Sequence, residues 1–191
     1  MTNSKEWNLK EKEKTILLKN IRLIKPCIDF KEEYLNMISE WKSSGEELIP
    51  WSLSLDSSDF GMMVDNLNGY SNGVGLPDGY VESSTFWLVN NENKILGAID
   101  IRHRLNDFLT FRGGHIGYGI RLSERKKGYA SLMLSLALKE CEKIGLKKVL
   151  ITCSKSNIGS AKTIINNGGV LDSEDTDNGE VFQRYWINLL K

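Results

Sequence analysis

At 191 residues the chain is long enough for one domain with a sizeable core. Lys plus Arg and Asp plus Glu number 25 each, so the basic excess expected of a general nucleic-acid-binding surface is missing. Hydrophobic residues at 40% and charged residues at 26% are ordinary for a soluble globular protein. No apolar run approaches the ~18 residues that a membrane span needs. Residues 1–20 are rich in Lys and Glu and hold no signal-peptide core. Cys27, Cys141 and Cys153 lie far apart and form no CxxC pair; this odd, metal-free set fits reduced thiols in a cytoplasmic protein.

Residues 1–19 read as a charged N-terminal extension and 20–191 as a single domain. A strand fits the stretch from Thr15 to Pro26. Tyr34, Met37, Ile38 and Trp41 form a helical stripe within Lys31 to Ser43, and Phe60, Met63, Val64 and Leu67 form another within Ser57 to Leu67, with Asp56 as its cap. Residues 68–84, with Gly69, Gly73, Gly75, Pro77 and Gly79, form a long loop that is either a lid or a plain connector. Thr85 to Val89 and Lys94 to Arg102 read as a hairpin about Asn90–Asn93.

The central stretch runs from Gly113 to Ile144. Ile116, Tyr118 and Ile120 alternate with His115, Gly117 and Gly119, so one face of this strand carries bulk and the other almost none. Glycine within a strand marks close approach by a ligand or another backbone. The turn Arg125-Lys126-Lys127-Gly128-Tyr129-Ala130 follows. Ala130, Met133, Leu134, Ala137, Cys141 and Ile144 then fall at helical spacing, with Gly145 as the cap. A bare helix N-terminus behind a flexible glycine and three cations is a site for a phosphate-rich ligand. It is not a P-loop, because no Gly-Lys pair occurs, and Leu122 stands where a dinucleotide fingerprint needs its third glycine.

Lys148 to Cys153 is a short strand, and a crossover from Ile120 would make it the parallel neighbour of the central strand. A helix bearing Ile158, Ala161, Ile164 and Ile165 ends at Asn167-Gly168-Gly169. A final hairpin pairs Val170-Leu171 with Val181 to Leu189. Antiparallel strands before a strand–helix crossover indicate an α+β chain.

The R-x-x-G-x-A of Arg125 to Ala130, between a strand and an amphipathic helix, resembles motif A of the GNAT N-acetyltransferases. From Phe86 to Gly169 the chain is most similar to their bacterial branch, through GGHIGYGIRLSERKKGYA; the order of elements resembles the fold from about Asn20 to Leu189. The resemblance implies a mixed, mostly antiparallel sheet whose central parallel pair splays to admit the pantetheine arm of acetyl-CoA, the co-substrate, with no metal. It implies that backbone groups of Tyr118, Gly119 and Ile120 pair with pantetheine. Arg125, Lys126, Lys127, Gly128, Tyr129, Ala130 and Ser131 would hold pyrophosphate, and Asn157 and Ser160 would lie near the acetyl end. The implied reaction is acetyl transfer to a small-molecule or peptide amine, by a monomer or homodimer, without nucleic acid or membrane. A CoA-binding sensor without transfer activity is the alternative.

The chain departs from the family pattern in its catalytic groups. The tyrosine that protonates the leaving thiolate in many members is replaced by Ile164. Cys153, Ser154, Ser156 or water would have to serve. His115 is the base candidate on the central strand, against a structural histidine bonded to backbone; Asp100 and Glu82 are weaker candidates, and Asp100 fits an exposed place on the polar face. The acidic run Asp172, Glu174, Asp175, Asp177 and Glu180 fits a solvated turn, or an attraction for a cationic amine. Trp51, Trp87 and Trp186 line a pocket or pack in the core. Cys153 lacks a neighbouring base in sequence, which favours direct attack by the amine over a covalent cysteine intermediate.

Overall fold

In a computed structural model, residues 20–190 are described; the extension 1–19 and the start of the first expected strand lie outside them. Seven strands alternate with five helices: β1 Arg22–Ile24, α1 Lys31–Ser43, α2 Phe60–Gly69, β2 Ser83–Val89, β3 Ile95–Arg102, α3 Asp107–Phe111, β4 Ile116–Ile120, α4 Tyr129–Lys143, β5 Lys148–Ser154, α5 Ile158–Asn166, β6 Val170–Asp177 and β7 Glu180–Asn188. The strands form two sheets, β1-β2-β3-β4 and β5-β7-β6, and every pairing within them is antiparallel. The α+β class therefore holds.

Each sheet face buries a different helix pair. Tyr34, Met37, Ile38 and Trp41 of α1 join Phe60, Met63 and Leu67 of α2 against Trp87, Val89 and Ala98. On the other face Met133, Leu134, Ala137 and Cys141 of α4 and Ile164 of α5 pack on Ile99, Ile116, Val149, Ile151 and Tyr185. Both stripes read from the sequence are core faces, and Trp87 is fully buried between them. Ile164 is fully buried too, and its aliphatic side chain packs in the core.

Local chemistry moves several boundaries. Helix α2 starts at Phe60 because the Asp59 carboxylate, not that of Asp56, accepts the Met62 N–H at 2.9 Å. Asp56 instead closes a bend on the Ser58 N–H. The loop before β2 contains a turn of 3-10 helix at Tyr70–Asn72. Helix α3 was not expected; Asn106 caps it, accepting from the Leu109 N–H at 2.9 Å. The acidic run is no turn: four of its members lie along edge strand β6. Three of the four pair with cations, Glu174 with Lys155, Asp175 with Arg184 and Asp177 with Arg112, which also takes Glu180. Such charges blunt an edge against further pairing.

The expected parallel pair, β4 and β5, meets at one point. The His115 N–H donates to the Leu150 carbonyl at 2.7 Å, and the Leu150 N–H donates to His115 Nδ1 at 2.9 Å. Beyond it no ladder joins the strands, and they belong to separate sheets. Gly114, at φ +62°, turns the chain tightly into this junction. Its missing Cβ would stand 2.4 Å from the Leu150 carbonyl oxygen.

The bare face of β4 is in use as well. A Cβ on Gly119 would lie 2.3 Å from the Ile49 carbonyl oxygen and 2.5 Å from the Trp41 ring. Gly119→Ala is therefore expected to cost about 1–3 kcal/mol in denaturant unfolding, the range for overpacking a tight contact. Wild-type stability in that variant would contradict the packing described.

Candidate functional site

Where β4 and β5 part, a cleft of about 720 Å³ opens between β4, the turn after it and α5. Its size suits a small-molecule ligand. Tyr118, Gly119 and Ile120 form one wall; Arg125, Lys126, Gly128, Tyr129, Ala130 and Ser131 form the end; Asn157 and Ser160 stand opposite. The sequence-expected set thus converges on one cavity, with two members outside it, Lys127 and His115.

The end wall is built for an anion. Lys126 and Gly128 both take positive φ, +63° and +88°, which swings the backbone around the helix start. The first main-chain bond of α4 is Leu132 N–H to the Gly128 carbonyl, 3.2 Å, so the N–H groups of Tyr129, Ala130 and Ser131 precede the ladder. The helix dipole adds to them. Side-chain charge is sparser than the sequence implies. Arg125 is held by both oxygens of Glu46, at 2.8 and 2.6 Å, and by the Ile120 carbonyl, at 3.1 Å. Lys127 turns to Glu124 at 2.8 Å, whose other oxygen takes Lys94. Lys126 has no ion-pair partner among the described residues and faces the cleft.

Backbone alternation decides what β4 offers. The His115 carbonyl accepts from the Arg102 N–H and the Arg121 N–H donates to the Leu96 carbonyl, so the odd-numbered residues turn their main-chain groups to β3. The main-chain groups of Tyr118 and the N–H of Ile120 face the gap, the Ile120 carbonyl being taken by Arg125; Gly119 contributes closeness instead of a bond. The Tyr118 side chain reaches the Ser160 hydroxyl, 3.0 Å away, and burial pushes its phenol up to about 12. Asn157 caps α5, accepting from the Ser160 N–H at 3.0 Å. Cys153 is half-buried, and burial raises its thiol pKa.

Sequence reasoning missed the far wall. Trp41 arrives from α1, Glu46, Glu47 and Ile49 from the segment after it, and Lys162, Thr163 and Asn166 from α5. Thr163, one turn beyond Ser160, was the member that helical spacing could have revealed.

The other candidates sit elsewhere. His115 is buried, with Nδ1 taken by Leu150 and its ring 6.3 Å from Trp186. Burial, with help from the Arg102 charge, lowers its pKa to about 4. Asp100 is not exposed on a polar face but 4% accessible, bonded to the Ser52 and Thr85 hydroxyls at 2.7 and 2.9 Å. Burial raises its carboxyl pKa. Glu82 pairs with Arg104. Trp51 stacks on Tyr80 at 4.6 Å, and neither Trp51 nor Trp186 lines the cleft. Among the described residues no cluster of His, Cys, Asp or Glu could hold a metal, and no helix could cross a membrane.

A sheet parted over a cationic helix start is the architecture of acyl-CoA N-acyltransferases. The chain belongs to the GNAT acetyltransferases: the family model of that domain matches residues 22–170. It is similar in fold to a microcin self-immunity acetyltransferase in complex with acetyl-CoA and AMP. That pair shows 18% identity over 88% of this chain and 92% of that one, with a TM-score of 0.61. A dodecameric spermidine N-acetyltransferase from Vibrio cholerae gives 12% identity, 90% and 95% coverage, and 0.60. An acetyltransferase from Salmonella typhimurium that modifies the N-terminal serine of a ribosomal subunit protein gives 14%, 88%, 95% and 0.61. No curated protein matches the chain.

The His115 geometry has a thermodynamic signature. Its folded pKa lies below its unfolded value near 6.5, so between about 6.5 and about 4 the unfolded chain binds the extra proton. This contribution is whole above 6.5 and is lost as pH falls toward 4. At pH 8, His115→Leu is expected to be less stable by about 1–3 kcal/mol, since the Leu150 N–H loses its acceptor. The gap should narrow on acidification, because only the wild type carries this proton linkage. A gap constant from pH 8 to pH 4.5 would contradict the assignment.

Proposed function

We propose that this protein transfers the acetyl group of acetyl-CoA directly to an amine, without a covalent enzyme intermediate. The observation that carries the proposal is the parting of β4 and β5 over the bare start of α4. The N–H groups of Tyr129 to Ser131, with Lys126, are the pyrophosphate cradle; the main-chain groups of Tyr118 and the N–H of Ile120 pair with pantetheine. Arg125 and Lys127 support the turn through Glu46 and Glu124.

The thioester end then lies near Tyr118, Ser160 and Cys153. As the amine nitrogen bonds the carbonyl carbon and the carbon–sulfur bond breaks, the Tyr118 hydroxyl donates to the departing thiolate. Burial keeps that hydroxyl protonated, and Ser160 orients it. Cys153 stays a thiol for the same reason and has no base beside it, which supports direct attack. His115 is a structural ring at the strand junction, so the acceptor enters as a neutral amine and gives its proton to water. Holding both reactants together supplies most of the acceleration.

The decisive experiment follows thiol release from acetyl-CoA across a panel of amines. Turnover with intersecting initial-rate plots is expected. Parallel plots would indicate an acetyl-enzyme, and CoA binding without thiol release from any amine would make the protein a binding module.

Gly128→Asp puts bulk and negative charge in the phosphate cradle at a positive-φ position. Calorimetry is expected to show CoA binding abolished, and wild-type binding weakened by salt. Equal affinity of both proteins would remove the cradle assignment.

Tyr118→Phe keeps the wall and removes the donor. Turnover is expected to fall on the order of 10²-fold, with CoA affinity little changed. Undiminished turnover would return the role to water.

A further inference from the structure

The cleft face of β4 is taken by the acyl donor, so the amine must reach the strand junction from the opposite face. That face is bare at Gly117, and what covers it is Arg102. A Cβ on Gly117 would meet the two terminal nitrogens of Arg102 at 3.3 and 3.5 Å and Pro50 at 3.6 Å. Asp100, two residues before Arg102 on the same face of β3, pairs with Gly117 across the strands.

Arg102 is only partly used by the protein. Nη1 donates to the carbonyls of Gly113 and Gly114 at 3.1 and 3.3 Å. Nη2 and Nε have no hydrogen-bond acceptor among the described residues, and no carboxylate lies within ion-pair distance. Asp100, the nearest acidic group on its face, spends its oxygens on the Ser52 hydroxyl and N–H and on the Thr85 hydroxyl. A half-buried guanidinium with open donors has capacity for a further anionic partner. Its planar fork fits a carboxylate or a phosphate. Tyr80, 47% exposed and packed on Trp51, brings its phenol near the Arg102 guanidinium. On strand β6, Glu174, Asp175 and Asp177 are each held by a cation, Lys155, Arg184 and Arg112, which weakens their attraction for a polycation.

We propose that the acceptor is an amine that carries an anionic group, a carboxylate or a phosphate, and that Arg102 binds that group beside the junction of β4 and β5. The proposal rests on the acetyl-transfer reading above. A cation at this place also disfavours protonation of the incoming amine, which suits a nucleophile that must be neutral. Polyamines are excluded by the same charge.

Matched acceptor pairs test it. Thiol release is compared for an α-amino acid against its amide, for an aminoalkyl phosphate against the amino alcohol, and for spermidine. At least one anionic member is expected to exceed its neutral partner in kcat/KM by about 10- to 100-fold, the range for a hydrogen bond to a charged group. The pair that responds tells carboxylate from phosphate. Arg102→Met is expected to level that pair, mainly through KM, while calorimetric CoA affinity stays near wild type. Arg102→Lys keeps a charge but not the fork, and is expected to retain part of the preference; it serves if Arg102→Met does not fold. Neutral amines or spermidine matching the anionic acceptors, or a preference that survives in a folded Arg102→Met protein, would overturn the proposal and leave acetyl transfer standing. Thiol release from no acceptor at all, with CoA still bound, would overturn both.

Discussion

Two hydrogen bonds between His115 and Leu150 control the geometry of this molecule. With the Gly113 N–H bonded to the Thr152 hydroxyl beside them, they join the two sheets at the start of β4, and the absence of a ladder beyond lets β4 and β5 diverge. A strand edge with unpaired main-chain groups would ordinarily invite another strand. Here the edge of β4 faces a cleft between α4 and α5, where an extended ligand arm can pair with it instead. The junction depends on an unusual partner, an imidazole nitrogen that accepts a backbone N–H. That arrangement requires a neutral ring, and burial keeps the ring neutral through the physiological range.

The charge pattern of the cleft shows why a formal count misleads. Three consecutive cations precede Gly128, yet two are paired to carboxylates of the same chain. The Arg125–Glu46 pair is partly exposed and contributes little to stability. Its effect is on shape: it fixes the segment after α1 against the cleft mouth and places Trp41 under the Arg125 guanidinium at 5.6 Å. Anion affinity then falls mainly to fixed dipoles, three N–H groups and a helix end, with Lys126 as the flexible charge. Such a site discriminates by position as well as by charge, which suits a diphosphate held at one register.

Much of this was legible in the sequence, for local reasons. The alternation of Ile116, Tyr118 and Ile120, the stripe from Met133 to Cys141 and the glycine at 128 each encode one element through its own neighbours. The cleft end follows because strand, turn and helix are contiguous. What could not be read depends on contacts far apart in the chain. Glu46 and Trp41 reach the cleft from more than seventy residues upstream of Arg125. Asp100 looks like a solvent-facing member of an alternating strand; only the 3-10 turn carrying Ser52, packed over that face, makes it a buried acceptor. His115 reads as a base by type, and Leu150 makes it a structural ring. The acidic run reads as a turn because strands seldom hold so many carboxylates, and cations from three other segments reverse that preference.

Strand β4 offers two different faces because alternate residues do opposite work. Even-numbered residues give bulk and main-chain groups to the cleft, where Tyr118 ends on Ser160. Odd-numbered residues give absence: Gly119 admits the Ile49 carbonyl and Trp41, and Gly117 admits Arg102. A side chain at either glycine would push away the group that closes the opposite face. The strand is thereby thin enough for a donor on one side and an acceptor on the other to meet at its end. That thinness also explains the division of charge. Under the proposed reading the donor side would meet its anion with dipoles at the far end of the cleft, and the other face carries the half-buried Arg102 guanidinium near the junction. The two anionic groups of a donor–acceptor pair would thus sit at opposite ends of the same short strand, separated by its length and by the low-dielectric core, and their mutual repulsion would be small at the point where bonds exchange.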